Sequence, residues 1–186
     1  LILNFLFEVF DEKNSKQVSD ILKETKSAVQ SYMIGLLIET LIIATLNSIA
    51  LSLLGVKYAI LLGVIGALLN LIPYIGGVIA IALPVLIATV TSDGYHTQLG
   101  ILIAYIIIQF VDNNIIIPRI VSSKVQINAL ISIITVLLGS ALWGVAGMFL
   151  SIPFIAILKI IFDRIPELKA WGKLLGDTVP TRHIGE

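Results

Sequence analysis

The sequence predicts an all-α, polytopic membrane protein built around two helical hairpins, and three observations predict it. First, 58 % of the 186 residues are hydrophobic and 13 % are charged, with a mean hydropathy of +1.03. A soluble domain holds about 45–50 % apolar and roughly 25 % charged residues, so this chain takes lipid as its solvent. Second, the apolar residues gather in four runs, 31–54, 57–92, 98–117 and 127–162, separated by short polar stretches. Third, two of those runs are too long for one crossing. A bilayer core about 30 Å thick takes ~20 helical residues. A straight helix through 57–92 or 127–162 would be about 54 Å long. Each must fold back, either as two full passes or as a re-entrant pair of half-helices.

Taken in order, "LILNFLFEVF" (1–10) reads as the end of a preceding transmembrane helix. It is too short, and lacks the basic flank, for a signal peptide, so the chain is expected to be the C-terminal part of a longer protein. Residues 11–30 are the one clearly soluble stretch. Val18, Ile21, Leu22, Val29 and Tyr32 recur at helical spacing, which predicts an amphipathic cytoplasmic helix or linker. Whether it is solvated or lies on the membrane or a neighbouring subunit stays open. The transmembrane domain then runs over 31–162: a single pass, a hairpin at 57–92, a second single pass at 98–117, and a hairpin at 127–162.

Charge sets the orientation. The linker "TSDGYHTQ" (91–98) has no Lys or Arg and reads as outside, whereas "PRIVSSK" (118–124) carries Arg119 and Lys124. The tail at 163–186 carries Arg164, Lys169, Lys173 and Arg182. Both basic stretches read as cytoplasmic under the positive-inside rule, and Lys57, on the outer side, runs against it. In the tail, Ile165, Leu168, Trp171 and Leu175 share one side, suited to the headgroup layer or to a helix–helix contact.

The turns fall where the length arithmetic needs them, at "NLIPYIGG" (70–77) and "GSALWGVAGMFLSIP" (139–153). Proline removes an N–H and clashes with the previous turn, while glycine relaxes the limits on φ and ψ. Broken backbone at membrane depth survives only where protein or a wet cavity satisfies its polar groups. Residues 70–77 are therefore expected to line the protein interior. The order of pass, hairpin, pass, hairpin also suggests an internal inverted repeat, with "IALPVLIA" (81–88) resembling "LSIPFIAI" (150–157). Paired interrupted segments of this kind point to a transporter's midplane site.

An ionisable group inside lipid costs at least ~2.5–3.5 kcal/mol on insertion scales, so each one needs a reason. Glu39 lies some 12 Å into the first run, counted in helical rise. It is either a protonated or helix-bonded carboxyl, or one that handles protons or cations beside a cavity. Asp112 belongs to "QFVDNN" (109–114) with Gln109, Asn113 and Asn114. Gln109 and Asn113 share an i,i+4 face, and the amides either anchor the interface or line a polar path. Arg119 either snorkels to headgroups or pairs with an anionic lipid, a substrate or Asp112. Asn70 either caps the broken helix or contacts substrate beside Pro73, Gly76 and Gly77, since half-helix ends carry dipoles. Gly139, Gly144 and Gly147 are expected to permit close helix packing.

Other chemistry is excluded or thin. The 12 basic and 12 acidic residues cancel, and no basic face suggests a nucleic-acid partner. There are no cysteines, which rules out disulfides and thiolate metal sites. His96 and His183 lie in the outer linker and the tail. Asp93 and His96 read as a solvated loop rather than a metal pair. No nucleophile–base pair or phosphate-cradling loop is present. No enzyme activity, metal or cofactor is expected.

Three ordered motifs, "NLIPYIGG", "DNNIIIPRIV" (112–121) and "LLGSALWGVAGMFLSIPFIAILKII" (137–161), resemble the C-terminal half of the AI-2E transporter family, also called the PerM family. By position, Asn70, Pro73, Gly76, Pro118, Arg119, Gly144, Gly147 and Pro153 match its motifs. Ser122 stands where the family usually has Gly. The resemblance implies a multi-pass protein of the bacterial inner membrane, homo-oligomeric, whose relatives export autoinducer-2 or exchange Na⁺ or Li⁺ for H⁺. The expected partners are thus the lipid bilayer and a small polar solute or Na⁺, Li⁺ and H⁺. A non-transporting membrane scaffold, in which the polar residues only stitch helices together, is the alternative.

Overall fold

The structure, a computed structural model, describes residues 12–73, 75–92, 94–121 and 127–177, with side chains from Val18 onward. Residues 1–10 fall outside the described residues, as do Asp93, Ser122, Lys124, Arg182 and His183. Every described element is helical: α1 (Glu12–Leu53), α2 (Ala59–Asn70), α3 (Gly76–Thr91), α4 (His96–Val111), a π-helical continuation (Asp112–Val121), α5 (Ala129–Arg164), a short 3₁₀ turn (Pro166–Leu168) and α6 (Lys169–Leu175). By length and composition, Val18–Leu53, His96–Val121 and Ala129–Arg164 are apolar and long enough to cross a membrane.

The core is apolar, yet large apolar side chains also cover the outside and a few polar ones share the interior. Leu37, Leu41, Leu53, Ile60, Val78 and Val90 are exposed, while Glu39, Asn47, Asp112 and Ser151 are buried. Lipid has no use for polar groups, so the chain turns its leucines outward and shelters its carboxylates.

Contacts divide the chain into two compact units. The unit Tyr32–Ser122 holds the C-terminal half of α1 with α2, α3, α4 and the π segment. Composition predicts a soluble helix at 11–30 and a separate pass at 31–54, but α1 is one 42-residue helix. Polarity changes near Ser31 without a Pro or Gly to break the backbone, so the helix runs on. Thr40, Thr45 and Ser48 return their hydroxyls to the carbonyls of Leu36, Leu41 and Ala44 at 2.6–2.8 Å, which hides them from lipid. The helix ends in a Schellman motif. Gly55 is left-handed (φ 69°), Val56 N–H donates to Leu51 C=O (3.0 Å) and Gly55 N–H to Ser52 C=O (3.1 Å), as such a cap requires.

The 57–92 run folds back. α2 has 12 residues and α3 has 16, about 18 and 24 Å of helix. A Cβ on Gly76 would strike the Leu69 carbonyl and lie 3.0 Å from Asn70 Cα, so only glycine lets α3 leave the turn against the end of α2. The sequence places the end of the next pass at Pro118. Instead the helix continues through Pro118 and Arg119 to Val121 as ten π-helical residues. Widening the ladder accommodates a proline that lacks an N–H and would crowd the turn before it. A core of Leu51, Val56, Leu62, Ala80, Ala88, Ile101 and Tyr105 joins α1 to α4, and Ile43, Ala67 and Ile116 form a second cluster.

In the other unit, α5 is a hairpin. Trp143 (φ −135°, ψ 16°) and Gly144 (φ 61°, ψ −137°) leave helical geometry at its apex. Gly139 and Gly147 sit backbone to backbone across it, where a Cβ on either would strike the other's carbonyl group. Ser151 Oγ lies 3.0 Å from the Thr135 carbonyl of the opposite arm and 2.6 Å from that of Gly147. Pro153 is buried on the returning arm. Asn128 caps α5, accepting from Leu130 N–H (2.8 Å), and its own N–H donates to Leu175 C=O at the end of α6 (2.9 Å). Arg164 holds Glu24 through Nε (3.2 Å) and Nη2 (2.7 Å).

Candidate functional site

The break at residue 70 delivers one side chain to two acids. Asn70 is the last residue of α2, where helical constraint ends and an amide can turn inward. Its Nδ2 donates to Asp112 Oδ2 (3.1 Å) and reaches Glu39 Oε1 (3.4 Å). Glu39 is 4 % exposed and Asp112 0 %. The two carboxylates come from α1 and from the first residue of the π segment, 73 residues apart in sequence. An amide nitrogen carries two protons, so one Asn can serve both oxygens. Asp112 Oδ1 is buried without a hydrogen-bond partner among the described residues.

Gly77 leaves space beside this group. A Cβ there would lie 3.2 Å from Gln109 Oε1 and 3.6 Å from Asn70 Oδ1, so both amide oxygens face the bare backbone at the start of α3. Glu39, Asn70, Gln109, Asp112, Gly76 and Gly77 thus meet, with Pro73 half-buried in the connecting turn.

Two candidates do not join them. Asn113 and Arg119 are exposed. The i,i+4 face expected for Gln109 and Asn113 requires an α-helix; the ladder widens at Asp112 and Asn113 turns away. Arg119 is not the partner of fully buried Asp112, whose bonded oxygen is taken by Asn70. The hairpin residues Gly144, Gly147 and Pro153 lie in the other unit, in the packing positions described above. Two residues that the sequence does not single out, Asn47 and Tyr105, are 2 % and 4 % exposed. Asn47 follows Glu39 by two helical turns on α1, and that spacing is the signal the sequence offers. Of the Asp93–His96 pair only His96, at the N-terminus of α4, lies within the described residues, and among these no group of three His, Asp or Glu could hold a metal ion.

Ionisable residues buried between apolar helices beside an interrupted helix are an arrangement that recurs in membrane transporters. The AI-2E family transporter model matches residues 2–167. The chain belongs to this family. Among its relatives, YrrI of Bacillus subtilis (strain 168) is 31 % identical over 154 residues, covering 83 % of this chain and 43 % of YrrI. The AI-2 transport protein TqsA of Escherichia coli (strain K12) is 32 % identical over 127 residues, 68 % of this chain and 37 % of TqsA. PerM of the same strain is 28 % identical over 155 residues, 83 % and 44 %. The chain therefore spans less than half the length of these AI-2E relatives.

Proposed function

We propose that this AI-2E family chain forms the cargo-contacting part of a transporter in the bacterial inner membrane. The cargo is a small polar solute resembling autoinducer-2, or a monovalent cation exchanged for protons. The observation that carries the reading is the Asn70 amide held between buried Glu39 and Asp112 at a helix break. Two carboxylates sharing one amide can exchange a proton for a cation, or accept hydroxyls of a solute, with little rearrangement. The name of TqsA supports the solute branch. Among the described residues no ion pair involves either acid, which supports the cation branch, in which the cargo itself balances them.

The test is flux. Liposomes holding the full-length protein are tested with Na⁺, Li⁺ and small polyols in turn, a pH-sensitive dye following cation–proton exchange and radiolabel uptake following the polyols. Wild-type protein is expected to move at least one of them. Glu39→Gln and Asp112→Asn are each expected to lower the rate tenfold or more. Normal rates in both variants would remove the cluster from the pathway. No flux of any panel member by wild-type protein would favour a membrane scaffold instead.

A further inference from the structure

A second polar group lies further along the same three helices. From the carboxylate cluster, the path from Glu39 to Asn47 on α1 is about 12 Å of helical rise. That from Asn70 to Gly66 on α2 is about 6 Å, and from Asp112 to Tyr105 on α4 roughly 10 Å. These three end points converge. A Cβ built on Gly66 would lie 3.4 Å from Asn47 Nδ2 and 3.4 Å from the Tyr105 hydroxyl. Asn47 Oδ1 and the Tyr105 hydroxyl are both buried and have no hydrogen-bond partner among the described residues. One turn further, Leu51, Leu62 and Ile101 close the file with apolar side chains.

Buried polar atoms are almost always paired, and each exception needs a cause. Packing alone would be served better by Leu and Phe at these positions. Two unpaired groups beside the same side-chain-free glycine point to a ligand. Asn47 Oδ1 only accepts; a phenol donates and accepts; neither carries charge. A group that does both, such as a hydroxyl, can satisfy Asn47 Oδ1 and the phenol together, whereas a bare anion would leave the buried Oδ1 without a donor.

We propose that Asn47, Gly66 and Tyr105 form a second, uncharged site that takes a hydroxyl group, borne by water or by a small neutral solute. This rests on reading the Glu39–Asn70–Asp112 cluster as a cargo-contacting site, and extends the path from it toward the apolar closure.

These 186 residues contain no cysteine, so an introduced thiol has no native neighbour of its kind within them. Gly66→Cys and Asn47→Cys are compared with Leu51→Cys and Ile101→Cys, in full-length protein in membranes, using a small methanethiosulfonate reagent and the unsubstituted protein as blank. Thiols at 66 and 47 are expected to react at least tenfold faster than those at 51 and 101. Equal rates would overturn the site. Slowing of the reaction by glycerol assigns the hydroxyl to a solute, and unchanged rates assign it to water; either supports the site. Tyr105→Phe removes only the hydroxyl. It is expected to leave the unfolding midpoint unchanged or raised while slowing the reaction at 66 several-fold. A midpoint lowered by several degrees would mean that the hydroxyl has a packing role, and would also overturn the site. The Glu39→Gln flux assay judges the carboxylate cluster separately, so the two readings fail independently.

Discussion

Asn70 joins chain geometry to chemistry, because ending α2 at an amide is what lets one side chain reach two buried acids. Asn70→Leu removes both hydrogen bonds and leaves two buried carboxylates without the amide they share. Hydrogen bonds to charged groups are worth about 1.5–3 kcal/mol each, so the variant is expected to lose several kcal/mol on denaturant unfolding in detergent. Glu39→Gln is different. Its amide oxygen still accepts from Asn70, so the unfolding midpoint is expected to move little even as flux falls tenfold. A large loss of stability in Glu39→Gln would mean that the acid serves packing rather than exchange. In the other unit, Arg164 and Glu24 form an ion pair with both side chains about half exposed (47 % and 45 %). Exposed pairs contribute about 0–1 kcal/mol, and Glu24→Gln is expected to fall within that range.

The two hairpins turn by different means, and glycine substitutions separate them. At Gly144 the constraint is conformational: φ is 61° and a Cβ placed there would meet nothing within 4 Å. Gly144→Ala is therefore expected to cost about 1–3 kcal/mol through backbone strain alone. At Gly76 and Gly147 the constraint is contact with another backbone, and Ala at either is expected to cost at least as much, since backbone cannot move aside like a flexible side chain. Ala accepted at all three positions without a lowered unfolding midpoint would contradict the hairpin geometry. Both hairpins are legible in the sequence because length and breakers agree: runs of 36 residues with Pro or Gly at mid-run. Continuity is less legible. The charge of residues 11–30 suggests a separate element, yet no breaker divides it from the following pass, and α1 runs through. Pro118 looks like a terminator, but a widened helix absorbs it. Glu39, Asn70 and Asp112 can be named from the sequence because polar residues in lipid demand a reason. Asn47 and Tyr105 escape notice because uncharged residues at helical spacing resemble ordinary core, and only the structure brings them to Gly66.

Across the described residues, the chain follows the logic of a bilayer: leucines and isoleucines such as Leu41 and Ile60 face outward, Glu39 and Asp112 inward, and the break before Gly76 closes against the end of α2, while the α5 apex at Trp143 and Gly144 is exposed. The arms of α2 and α3, about 18 and 24 Å long, are shorter than the ~30 Å hydrocarbon core. The turn between them is expected to stop at membrane depth rather than emerge on the far side. A spin label at Ile75 is expected to report a position in the middle of the bilayer, and one at the far headgroups would make the hairpin a full crossing. The match over 2–167 places the chain in the AI-2E family; the central claim beyond membership is that cargo meets the acids. Ligands that bind the folded state raise its stability by RT ln(1 + [L]/Kd), about 2.7 kcal/mol at a hundredfold excess over Kd. The decisive measurement is thermal unfolding of the full-length protein in detergent with Na⁺, Li⁺ and neutral polyols in turn. The expected result is that at least one of them raises the midpoint of wild-type protein and has no effect on the Glu39→Gln/Asp112→Asn double variant. The same rise in both proteins would place the cargo elsewhere.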